Sequence, residues 1–563
     1  MDGFVPLQVE NPAEPGSYAY RYFTYGSGRD KHRKEFGSGA KLLSSSVDAS
    51  AYIDEWSWVR KIFWGFTEKN LPLNGRVWMP EGKGPFPLVL MVHGNHRMEY
   101  FSDNGYGYLG ELLASRGFIA ISIDQNFLNY SSWSGIPEHD MTLRAWVLIH
   151  HLLQIQTFQN MPDSPFYQQV DLQRIALIGH SRGGQAAAMA ADYTKWFAQD
   201  SSVAGMAGID IQAVIGIAPT DKRVDGKTAV LHNMYYLVLH GAQDGDVTSF
   251  KGDRQYARSS YANGSERFKA SLYIGEANHS QFNTDWGKTD SLPPRGLFLN
   301  RSNTMDASSQ REIAKVYISA FLQTALRGNE QYIQLFRDYR YGRDWLPHAQ
   351  YFSRFENGQF IQLTEFKRNS DKTTFAKDVS VEADGFTLWT VEEAKDRRGY
   401  KKGIHGVVLA WDEAGSYSMV VSDSFRDDTL TNRPESLIVS MANLEKDLPG
   451  SRNEPAPIPK IEVEVETGGT VSVRMPLDRF MPLSPQIYTK YTRIPWFDDI
   501  MRNGKYSESA EPVFQTYELP LHSFKQLNAD FQPEDITKIT LYFSGGPGKV
   551  MIDDIGLMTY PAP

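Results

Sequence analysis

The chain of 563 residues contains no cysteine, which excludes disulfides, thiolate-ligated zinc, iron–sulfur clusters and a thiol nucleophile together. Any nucleophilic catalysis must therefore use a group other than a thiol, with the hydroxyls of Ser and Thr and the carboxylates of Asp and Glu as the candidates weighed. So long a cysteine-free chain also points toward an exported bacterial protein, for which an unpaired thiol is a liability. Basic excess is lacking too: 58 Lys and Arg stand against 67 Asp and Glu, a net charge of −9. The basic face that nucleic acid requires is not expected, and anionic membranes are disfavoured for the same reason. No run approaches the roughly 18 apolar residues of a membrane span. The opening MDGFVPLQVE has neither the basic nor the apolar stretch of a secretory leader. The expectation is an extracellular or cell-surface protein whose leader is absent from this sequence, or otherwise a cytoplasmic one.

What is present is ordinary globular material, 41% hydrophobic and 22% charged, enough for packed cores in roughly two to four domains. Residues 1–65 mix Gly, Ser and charge with many aromatics and read as an irregular arm with one or two strands. Over residues 66–345 apolar strands alternate with helices. Leu88 to Val92, Phe118 to Ile123, Ile175 to Ile178, Ile211 to Pro219, Tyr235 to Gly241 and Phe268 to Gly275 read as strands. Gly107 to Gly117, Met141 to Phe158 and Ser308 to Arg327 read as helices. The pattern predicts an α/β domain built on a mostly parallel sheet flanked by helices. From 351 to 563 the chain turns to short alternating strands with no convincing helix; KIEVEVETGGTVSVRM is the clearest hairpin, with Gly468 and Gly469 as its turn. This region reads as an all-β sandwich of the jelly-roll type.

The densest signal is RIALIGHSRGGQAA, from Arg174 to Ala187. A buried strand ends at Gly179, Ser181 sits in the turn between Gly179 and Gly183, and an Ala-rich helix follows. This G-x-S-x-G pattern lifts a serine hydroxyl above the sheet edge and aims helix N–H groups at a developing oxyanion, so Ser181 is the candidate nucleophile. A fold of this kind orders its partners as serine, acid, histidine. Asp244, just past the strand ending near Leu239, is the favoured acid and Asp246 its competitor; His279, in the loop after the last core strand, is the candidate base.

The backbone N–H groups of Asn95 and Arg182 are the candidate oxyanion donors. His96 is the rival histidine, because it lies in the same loop as Asn95. His93 is read as bracing that loop, His180 as packing beside the serine, and His150 and His151 as helix-face residues. Phe127, Tyr130 and Trp133, with His96 and Trp286, are candidate walls of a substrate pocket, weighed against plain packing. The segment 283–307, with Pro293 and Pro294, reads as a lid or an extra substrate wall. No cofactor and no catalytic metal are expected. Asp553 and Asp554 are candidate ligands of a structural Ca²⁺, weighed against the commoner solvated pair.

With these residues placed, residues 70–330 resemble the α/β-hydrolase superfamily. HGN at 93–95, GHSRGG at 179–184, GxxDxxV at 241–247 and NHSQF at 278–282 are similar to the branch holding chlorophyllase-like, platelet-activating-factor acetylhydrolase-like and cutinase-like enzymes. Arg182 and His180 around the serine depart from its usual pattern. The VMIDDIGL ending resembles a galactose-binding-like jelly roll. The resemblance implies a serine hydrolase of carboxylic esters with a Ser181, His279, Asp244 triad and an ester substrate, lipidic, polymeric or carbohydrate-linked. Two alternatives stand beside it: a serine peptidase or amidase on the same triad, and a glycan- or protein-binding module carried on a hydrolase scaffold.

Overall fold

Strands buried along their whole length set the architecture, because an apolar run without alternation must be covered on both faces. The computed structural model describes residues 5–364, 366, 378–430, 433–451, 456–494, 496–497 and 504–559. The first half is organised by a ten-stranded sheet. Its strands, in chain order, are β1 (Tyr20–Gly26), β2 (Leu42–Leu43), β3 (Gly75–Pro80), β4 (Phe86–Val92), β5 (Ile119–Ile123), β6 (Val170–His180), β7 (Ile211–Ile217), β8 (Tyr235–Gly241), β9 (Phe268–Ile274) and β10 (Tyr351–Asn357). In space they run β10-β9-β8-β7-β6-β4-β5-β3-β1-β2. From β9 across to β5 every pairing is parallel, and β10 and β3 flank that block antiparallel.

Alternate residues of one strand feed two cores. Leu88, Leu90 and Val92 of β4 join Ile175 and Leu177 of β6 on one face; Val89 and Met91 join Ala176 and Ile178 on the other. The first core is covered by α2 (Asp140–Gln159) and α3 (Arg182–Ala191), the second by α1 (Gly107–Ser115) and α5 (Ala307–Arg327). α2 is buried nearly all round, as a helix sandwiched in a core must be, and its buried residues include the polar Thr142, Arg144, His150, His151 and Gln154. His150 and His151, read as helix-face residues, are both buried there; His151 Nδ1 lies 2.6 Å from the Tyr25 hydroxyl.

The N-terminal arm is more ordered than its composition suggests. β1 extends the sheet, Trp58–Trp64 is a short helix, and Arg33 reaches between Asp103 and Asp124, buried with them. A further α-helix, α4 (Gly252–Arg258), follows β8.

The second half holds two antiparallel sheets. One is six-stranded, ordered β13 (Leu388–Lys395), β14 (Lys401–Trp411), β21 (Gly548–Met558), β16 (Ser436–Asn443), β19 (Gln515–Pro520), with β11 (Phe360–Gln362) also on β21. The other is five-stranded: β12 (Val379–Asp384), β15 (Ala414–Val421), β20 (Ile536–Ser544), β17 (Lys460–Thr467), β18 (Val471–Pro476). Val407, Leu409, Val439 and Ile552 of the first meet Val463, Val465, Ile539 and Leu541 of the second in one apolar cluster.

Three features differ from the sequence expectation. Tyr351–Asn357, where the β-rich pattern begins, pairs with β9 and so closes the first sheet; alternation marks a strand without naming its partner. Asp423–Thr429 and Leu521–Leu527 are short helices. Asp553 and Asp554 are held by protein groups, Arg354 Nη2 lying 2.5 Å from Asp553 and Gln362 donating to Asp554. Among the described residues no group of three or more His, Asp or Glu is arranged to hold a metal ion, and no helix is long and apolar enough to cross a membrane.

Candidate active site

β6 ends at His180 and α3 begins at Arg182, so Ser181 carries the whole reversal alone. Its backbone is at φ 56° and ψ −121°, a conformation that costs a β-carbon-bearing residue about 1–3 kcal/mol and persists only where the surroundings impose it. Two close approaches impose it. A Cβ on Gly179 would stand 2.0 Å from the Gly183 carbonyl oxygen, and one on Gly183 would stand 2.4 Å from that of Val92. Both positions must be glycine for strand, turn and helix to pack this tightly. Ser181 N–H donates to the Ile217 carbonyl at 2.8 Å, and its own carbonyl accepts from Gly184 and Thr220.

The loop after β4 lies directly on the serine. A Cβ on Gly94 would come within 2.5 Å of Ser181 Cβ and 3.2 Å of Oγ. His93 is buried and braces this loop as expected: its Nε2 accepts from Gln125 N–H at 3.0 Å, which puts the proton on Nδ1, 2.8 Å from the Gly94 carbonyl. Asn95 Oδ1 accepts from Tyr130 N–H at 2.8 Å, tying this loop to the one after β5. Arg182 is the first residue of α3, where a backbone N–H has no partner within the helix. Its guanidinium is turned away onto Asp140, at 2.8 and 2.7 Å.

Asp244 and His279 meet across the ends of β8 and β9. His279 Nδ1 is 2.7 Å from Asp244 Oδ2, both side chains buried. Asp244 Oδ1 accepts from the N–H groups of Asp246, at 2.9 Å, and Val247, so the carboxylate is fixed before it orients the ring. Asp246, the competing acid, is on the other side: its Oδ2 lies 3.7 Å from His279 Nε2, and its side chain is 42% exposed. Among the described residues Nε2 has no hydrogen-bond partner. Burial alone would disfavour the imidazolium, but the charge and hydrogen bond of Asp244, with Asp246 and Asp290 adding, outweigh it and push His279 up to about 9.

The other aromatics divide. Trp286 is stacked, its ring 5.6 Å from His96 at 8° and 5.9 Å from His279 at 14°, with its indole N–H donated to Ser102. His180 packs under it at 4.5 Å and meets the Tyr106 hydroxyl, burial holding the imidazole neutral. Tyr130 and Trp133 are exposed on the loop after β5. Phe127 is a correction: it is fully buried and packs edge-on against Phe66 in the core, and its carbonyl accepts from Arg60 at 2.7 Å.

Nothing local in the sequence announces the groups that hold the Asp244 loop from the second half of the chain. Thr489 donates to the Ala242 carbonyl at 2.9 Å, Tyr491 to Ala242 and Thr248, and Tyr506 to Gly245 at 2.8 Å. Lys505 Nζ donates to the Asp246 carbonyl and lies 3.8 Å from its carboxylate.

Residues 65–234 match the Chlorophyllase family model, a span that includes Ser181 and stops short of Asp244 and His279. The chain is 29% identical over 110 residues to chlorophyllase-1, chloroplastic, of Citrus sinensis, covering 19% of this chain and 29% of that protein. It is 31% identical over 117 residues to esterase FrsA of Shigella boydii serotype 18, covering 21% of this chain and 24% of the esterase. A third relative, esterase FrsA of Escherichia fergusonii, is 30% identical over 116 residues. The chain thus spans less than a third of the length of the curated relatives it matches.

Proposed function

We propose that this protein hydrolyses carboxylic esters through an acyl-enzyme on Ser181, with His279 as base, Asp244 as its orienting acid, and an α/β-hydrolase fold as the frame. The observation that carries this reading is the buried Asp244–His279 pair together with a serine held at positive φ between a strand and a helix N-terminus, whose neighbour His180 packs with its ring 4.8 Å from that of His279. The relatives' names, chlorophyllase and esterase, support an ester rather than an amide as the bond cleaved.

In this mechanism Ser181 Oγ gives its proton to His279 Nε2 as it bonds the acyl carbon, and the carbonyl oxygen becomes an oxyanion facing the N–H groups of Arg182 and Asn95. The imidazolium then protonates the departing alkoxide. Water attacks the acyl carbon with His279 again taking a proton, the carboxylic acid leaves and the serine is restored. Parallel rates on p-nitrophenyl esters of graded acyl length and on peptide anilides test the bond class. Esters turned over and anilides untouched is the expected result; faster anilide cleavage would replace esterase with amidase.

The same reading fixes a pH dependence. His279 accepts the serine proton only when neutral, so with its pKa raised kcat/KM should climb with pH on the alkaline side of the ordinary 6.5. Asp246→Asn removes a charge 3.7 Å from Nε2 and so lowers the pKa of His279. The acid limb should move down by up to about one pH unit, a half-exposed carboxylate being partly screened. The variant is then more active than wild type at neutral pH. A limb left in place would show that Asp246 does not act on His279.

A further inference from the structure

Asp290 belongs to the 283–307 segment read from the sequence as a lid, yet its carboxylate turns inward. Oδ2 accepts from the backbone N–H of Gly245 at 2.8 Å and of His279 at 3.0 Å, and Oδ1 accepts from Ser280 N–H at 2.8 Å. One side chain therefore grips both the loop that carries Asp244 and the loop that carries His279. The stretch around it is fastened to the same histidine loop, with Asn278 Nδ2 donating to the Lys288 carbonyl and Ser280 Oγ to that of Thr289. The two loops also touch directly, Gln243 N–H donating to the Ala277 carbonyl at 2.9 Å.

Resting on the esterase reading, we infer that Asp290 is a positioning residue for the reaction: it locks the acid loop to the histidine loop and supplies a second fixed negative charge behind His279. A carboxylate suits this place because its two oxygens accept several N–H bonds at once, whereas a carboxamide would turn donors toward backbone donors. The charged and titratable groups around it are Asp244 and His279 from the two loops, with Lys288 and Arg301 lining the same small cavity beside Tyr491. Burial first, and then the Asp244 charge, push the Asp290 carboxyl up to about 6, so it is an anion where the enzyme would work. Losing it should do two things at once. The geometry between Asp244 and His279 loosens, and the imidazolium loses part of its electrostatic support.

The test compares wild type, Asp290→Asn and Asp290→Glu for the rate of covalent labelling by a fluorophosphonate and for the pH profile of p-nitrophenyl acetate hydrolysis. Asp290→Asn is expected to slow labelling between about 10- and 100-fold, the loss typical of a misplaced catalytic group, and to move the acid limb to lower pH. Asp290→Glu keeps the charge but not the reach, so it should slow labelling and leave the limb where it is; this split decides the matter even if Asp290→Asn does not fold. Labelling rate and limb unchanged in both variants would overturn the inference while leaving the esterase reading intact. A wild-type chain that takes no label would overturn both.

Discussion

Ser181→Ala should lower ester hydrolysis by at least about 10⁴-fold while leaving the fold unchanged. Among the described residues Ser181 Oγ makes no hydrogen bond to the protein; what holds the turn is its backbone and the two flanking glycines. Alanine has the same φ/ψ demands at this position, so the strained reversal survives and only the nucleophile is lost. The residual rate would come from whatever the oxyanion donors and binding contribute without covalent attack. Circular dichroism and the thermal midpoint, measured beside turnover of a p-nitrophenyl ester, separate loss of chemistry from loss of structure. A variant that folds and retains more than a few per cent of wild-type activity would remove Ser181 from the mechanism.

The second large effect concerns the seam between the two halves. Arg354, in β10, lies 3.0 Å from Asp253 of α4 and 2.5 Å from Asp553 of β21, and all three side chains are almost wholly buried. Lys402 of β14 adds a cation 3.0 Å from Asp253. Removing one member of a buried ion pair leaves its partners charged and dry, a loss of about 3–5 kcal/mol. Arg354→Ala should therefore destabilise the chain by about that amount in urea unfolding, and Arg354→Ala with Asp553→Ala should lose less than the two singles together. Strict additivity would mean that the seam is not held by this pair. The same seam bears on the alternative in which the second half is an independent binding module. Thr489, Tyr491, Lys505 and Tyr506 grip the Asp244 loop, so that half supports the candidate site whatever else it binds.

Local constraint explains which parts were legible in the sequence. Gly179, Ser181 and Gly183 were readable because close backbone approaches leave no other residue possible at the glycines, and such demands appear as a short fixed pattern. The strands of the parallel block were readable because burial on both faces writes an unbroken apolar run. Asp244 was favoured over Asp246, and its carboxylate is the one at His279 Nδ1, while Asp246 faces Nε2. Phe127 stays open between pocket wall and packing in the sequence because an aromatic after a strand reads the same whether it faces a cleft or the core; the neighbours it packs with are distant in the chain, Arg60, which donates to its carbonyl, lying 67 residues away. Asp290 and Lys505 left no trace for a related reason. Asp290 stands in a Pro-containing loop with no periodicity, and Lys505 is 259 residues from Asp246, so only the folded chain brings them to the site.

Peptide mapping by mass spectrometry after fluorophosphonate treatment tests the central claim most directly. A single adduct on Ser181, in the peptide that spans the end of β6 and the start of α3, is the predicted result, with none in Ser181→Ala. An adduct on another residue, or labelling that persists in Ser181→Ala, would contradict it.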